Sequence, residues 1–76
     1  MPNAENRELV GILGDAVEVT VWRRLRRVVM SYGLHGRTVH THLSWSTINR
    51  LEKDIADLGW SMKLENGCRT VWVRPW

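Results

Sequence analysis

The chain has 76 residues, 43% of them apolar and 25% charged, with a net charge of +3 at neutral pH and a single cysteine. This length fits one domain, residues 1–76, near the lower limit at which an apolar core alone sustains a fold, and the composition excludes a disordered, collagen-like or low-complexity chain. One cysteine excludes an internal disulfide, and the lack of any long apolar run predicts neither a signal peptide nor a membrane span, hence a cytoplasmic protein with no membrane contact.

In chain order, Asn3 can cap a short helix over Ala4–Leu13 that Gly14 ends. Asp15 and Glu18 form a capping box for a second helix, about Ala16 to Ser31, with Gly33 as its stop. That helix would place Val17, Val21, Leu25 and Val28 on one face and Arg23, Arg24, Arg26 and Arg27 toward water. The β-branched run Val17, Val19, Thr20, Val21 is a competing strand signal. Residues 37–43 alternate Val39, Thr41 and Leu43 against Thr38, His40 and His42, which reads as a strand.

The last third is the most strongly patterned. Ile48, Leu51, Ile55 and Leu58 share one helical face, with Asn49, Arg50, Lys53 and Asp57 opposite. Ser46, or Ser44 one register earlier, can accept from first-turn amides, and Gly59 can adopt the left-handed conformation that ends the helix. Trp60, Met62 and Leu64 then alternate with Ser61, Lys63 and Glu65, and Arg69, Val71 and Val73 with Thr70, Trp72 and Arg74. Asn66-Gly67 between them predicts a hairpin with a type I′ turn, whose central residues need positive φ.

The run Leu43-Ser44-Trp45-Ser46-Thr47-Ile48-Asn49-Arg50, followed by Leu58-Gly59-Trp60 and then Gly67, resembles the recognition helix and wing of bacterial winged-helix repressors of the biotin-ligase repressor and DeoR type. The resemblance covers less than half the chain. It implies an α+β, small winged-helix-like domain, although the family has a helix where residues 37–43 alternate as a strand; with that strand the elements are two N-terminal helices, a short strand, a helix and a C-terminal β-hairpin, in the order α-α-β-α-β-β. It also implies a small basic transcriptional regulator with double-stranded DNA as partner. On that reading Ser46, Thr47, Asn49, Arg50 and Lys53 face the DNA from the helix, with Trp45 at its entry and Lys63 and Arg69 beside the wing. Asn49 and Arg50 have the side-chain chemistry for adenine and guanine edges.

The charge distribution points the same way. Between Val19 and Lys53 there are seven Arg or Lys and one acid, Glu52, so Arg23, Arg24, Arg26 and Arg27 are candidate phosphate contacts. Of the five tryptophans, Trp22 and Trp60 fall at core positions, whereas Trp45 and Trp72 do not, and Trp72 would share an outer hairpin face with Lys63 and Arg74. A second apolar flank of Trp22, Val29 and Met30 predicts a homodimer, with Trp22 and Val29 in or near the interface and Trp72 as a further interface candidate.

No nucleophile elbow, phosphate loop or paired-carboxylate motif is present, so no enzyme is expected. Glu52, Asp54 and Asp57 have Arg50 and Lys53 as helical partners. His35, His40, His42 and Cys68 lack the paired spacing of a zinc knuckle, so neither metal nor cofactor is expected. Gly11-Ile12-Leu13-Gly14 has apolar middle residues where a phosphate-cradling loop wants polar ones. The rival reading is a small phage or mobile-element inhibitor or adaptor that binds a host protein or nucleoprotein complex, since a single basic domain rich in tryptophan also suits a protein interface.

Overall fold

The computed structural model describes residues 13–75. Among these residues five strands and one complete helix follow in the order β1 (Glu18–Trp22), β2 (Arg27–Ser31), β3 (Arg37–His40), α1 (Trp45–Asp57), β4 (Ser61–Glu65) and β5 (Arg69–Val73), with a 3-10 turn at Gly33–His35. The strands form one antiparallel sheet in the order β3-β2-β1-β5-β4. The central strand, β1, is bordered by its hairpin partner β2 and by β5 from the far end of the chain.

This corrects the predicted α-α-β-α-β-β winged-helix order. The second helix, about Ala16 to Ser31, does not exist: its residues are the β1–β2 hairpin, turned at Arg23–Arg26. The reason lies in the side chains. A helix would have buried Val17 and Leu25, which are 45% and 57% exposed, whereas Val19, Val21, Val28 and Met30 are fully buried at the two-residue period of a strand. β-branched residues lose little in a strand, and pairing on both sides of β1 outweighs one capping box. The helix expected over Ala4–Leu13 lies outside the described residues except for Leu13, which is helical and buried.

Opposed residues in an antiparallel pair point to the same face, so the register sorts the sheet. Val19 lies between Met30 and Trp72, and Val21 between Val28 and Thr70, on the face that α1 covers with Ile48, Leu51 and Ile55. Leu13, Ala16, Leu43 and Trp60 close the margins of this core. Full burial of each large side chain contributes about 1.5–3 kcal/mol before chain entropy is counted. Trp72 is thus a core residue at 8% exposure, and the outer-face position and interface role predicted for it are corrected.

Both ends of α1 are fixed locally. Ser44 is the N-cap, accepting from the Thr47 amide at 3.2 Å, so Ser46 lies inside the first turn. At the other end Gly59 takes φ 89°, its amide donating to the Ala56 carbonyl and that of Trp60 to the Ile55 carbonyl. This is a Schellman ending, with Trp60 and Ile55 meeting in the core.

The β4–β5 turn differs from the predicted type I′. Neither Asn66 nor Gly67 has positive φ. The Asn66 side-chain oxygen instead accepts from the amides of Cys68 and Arg69, both at 2.9 Å, so a side chain does the work assigned to backbone torsions. A register shift between Met62 and Leu64 leaves Lys63 as a bulge in β4, the edge strand.

Candidate nucleic-acid interface

The β1–β2 turn sets four arginines, Arg23, Arg24, Arg26 and Arg27, at one end of the sheet. Arg24, Leu25, Arg26 and Arg27 are exposed. Arg26 has φ 49°, a left-handed conformation that costs a residue with a side chain roughly 1–2 kcal/mol. Its amide donates to the Arg23 carbonyl at 3.1 Å, and its own carbonyl accepts from Leu43, which ties the turn to the segment before α1. Glycine or asparagine would be less strained at this position.

Arg23 behaves differently. Its guanidinium is ion-paired to Glu52, donates to Asn49 Oδ1 at 2.9 Å and lies 5.8 Å from the Trp45 ring centroid. Glu52 also accepts from Trp72 Nε1 at 3.3 Å. The assembly Trp72–Glu52–Arg23–Asn49 joins the sheet to α1 and draws Trp45 against the arginine turn. Glu52 therefore serves this link rather than the intrahelical pairing with Arg50 and Lys53. Sequence reasoning missed it because its partners are brought together only by the hairpin.

The predicted helix contacts separate. Trp45, Ser46, Asn49, Arg50 and Lys53 are exposed, but Thr47 is 1% exposed and cannot face DNA. Asn49 spends its side-chain oxygen on Arg23. Ser46 lies 3.2 Å from the Ser44 hydroxyl. Lys63 and Arg69 are not on the helix side at all. Arg69 opposes Trp22 on the uncovered sheet face, its guanidinium 5.0 Å from the ring centroid, while Lys63 reaches Glu18 at 4.0 Å near the other end of the sheet. The structure therefore brings together Arg23, Arg24, Arg26, Arg27, Trp45 and Asn49, with Arg69 and Trp22 across the sheet edge, and leaves Lys53 and Lys63 apart.

Trp22 and Val29 share that uncovered face, with Trp22 opposite Arg27 and Val29 opposite Thr20. Trp22 is thus no core residue; the tryptophans in the core are Trp60, as expected, and Trp72. Arg74 is also spoken for. Its side chain donates to the carbonyls of Leu13, Gly14 and Ala16 at 2.7–3.1 Å and stacks 5.0 Å from the Trp60 ring, fixing the entry to β1. Among the described residues no three His, Cys, Asp or Glu side chains cluster to hold a metal ion, and no helix is long and apolar enough to cross a membrane.

Comparison with family models, with curated proteins and with solved structures yields no match.

Proposed function

We propose that this protein binds DNA through the arginine turn between β1 and β2, contacting phosphates rather than reading a groove with α1. The observation that carries the reading is the set of exposed cations Arg24, Arg26 and Arg27 on a strained, tightly tied turn. Among the described residues, the acid linked to the turn is Glu52, which is already ion-paired to Arg23. Guanidinium groups suit phosphate oxygens because they offer paired donors in a fixed plane. The exposed Arg50 on α1 adds positive field on the helix side.

The test is a fluorescence-anisotropy titration of a labelled duplex at several salt concentrations. Three phosphate contacts predict a log–log salt slope of about −3. The double substitution Arg24→Glu, Arg26→Glu should remove binding while leaving the circular dichroism spectrum unchanged, because both side chains are exposed. A protein that shows no nucleic-acid binding at about 50 mM salt would sink the proposal.

A second reading, an adaptor or inhibitor that binds a protein, draws on a different observation: the uncovered sheet face exposes apolar side chains. A single stoichiometric protein partner that survives nuclease treatment and competes with DNA would favour it.

A further inference from the structure

The register of the uncovered face resolves into rows that run across the strands. The first row is Arg69, Trp22 and Arg27, on β5, β1 and β2. The second crosses all five strands as Leu64, Val71, Thr20, Val29 and Val39. The third holds Ser61, Val73, Glu18, Ser31 and Arg37, with Lys63 against Glu18. At about 4.8 Å between strands, the second row is a largely apolar band about 19 Å long, with Thr20 at its centre and Val71 already buried. Val39 is 53% exposed and Leu64 38%, and no helix among the described residues lies over the band.

The first row joins this band to the phosphate-binding turn, since Arg27 follows Arg26 directly and Trp22 precedes Arg23. The face carries the cations Arg27, Arg37, Lys63 and Arg69 against one acid, Glu18, and Lys63 already pairs with it. Two copies set face to face would bring like charges together, so charge argues against a second copy and for a polyanion. A duplex is a poor occupant, because its bases are stacked inside and it would offer the band only phosphates and sugars. A single strand offers both things the face asks for: phosphates for the arginines and unstacked bases to cover Trp22, Val29, Val39 and Leu64.

We infer that the uncovered sheet face binds single-stranded nucleic acid, with its backbone on the Arg69–Trp22–Arg27 row and two or so bases laid on the Leu64–Val39 band. This rests on the phosphate-binding reading above and names its substrate as unpaired strand. The Arg69 guanidinium already lies over Trp22, so the pair presents a broad flat surface of the kind bases stack on.

The experiment compares a labelled oligothymidylate with its duplex in oligoadenylate, using the full chain. The single strand should bind about tenfold more tightly, and Trp22→Ala should remove about that factor while duplex binding stays as it was. Val39→Asn, at an exposed edge position, should lower only single-strand affinity. Amide chemical-shift mapping with the same oligothymidylate keeps the test valid if Trp22→Ala fails to fold: shifts should follow the rows on β1, β2, β3 and β5. Equal affinity for both probes with shifts confined to Arg23–Arg27 would overturn the inference and leave phosphate binding standing. Binding of neither probe would remove both. A chain that doubles its mass in solution, and returns to the monomer mass on Val39→Asn, would assign the band to a second copy and overturn the inference as well.

Discussion

The two faces of the sheet are made by the same five strands, one residue out of step, and they differ in every property that matters. One face sets Val19, Val21, Val28, Met30 and Trp72 under α1. The other carries a largely apolar band in which Val39 and Leu64 are exposed, Thr20 and Val29 half-buried and Val71 buried, with arginines beside it. Burial therefore depends on what lies across the sheet as well as on residue type: Val19, Val21 and Val28 are core, whereas Val39 on the other face is exposed.

The sharpest way to break the comparison is to remove apolar bulk from each side. Leu51→Ala, beneath the sheet, should cost about 2–5 kcal/mol in urea unfolding, whereas Val39→Ala should stay within about 0.5 kcal/mol. Comparable losses would mean that the second face is also covered in the folded protein. Next in size is Arg74→Ala, which strips partners from three carbonyls and should cost about 2–4 kcal/mol. Arg74→Lys should recover little of this, since an ammonium lacks the planar fork that reaches all three; full recovery would show that charge alone holds the β1 entry.

A smaller effect is expected at Gly59. Placing a side chain at φ 89° should cost about 1–2 kcal/mol for Gly59→Ala, with no loss of nucleic-acid binding, because the Schellman turn serves only the covered face. The smallest and most telling change is Arg26→Gly. Relief of the left-handed strain should raise stability by about 0.5–1 kcal/mol while phosphate affinity falls. Stability and binding moving together instead would remove the argument that the turn trades one for the other.

What was legible in the sequence follows the range of the forces involved. The Ile48–Leu51–Ile55 face and the Gly59 stop depend on neighbours within two turns, and α1 ends where those residues say. The Asn66-Gly67 turn was legible as a position but not as a mechanism, because an asparagine side chain bonding two amides leaves the same dipeptide mark as a pair of positive φ angles. The amino-terminal half was misread: Asp15 with Glu18 and the valine run carried local signals of opposite sense, and the arbiter, pairing of β1 with β5, is not local. The same long-range pairing exchanged the roles of Trp22 and Trp72.

The bulge at Lys63 has a consequence for the molecule in a crowd. An antiparallel sheet with a free outer strand is a template on which further chains can add, and β4 is exposed along its whole length. A register shift in the middle of that strand, occupied by a lysine, breaks the even spacing of donors and acceptors that an incoming strand would need. The opposite edge, β3, is only four residues long and begins with Arg37. Growth by edge addition thus meets an interruption on both sides of the sheet.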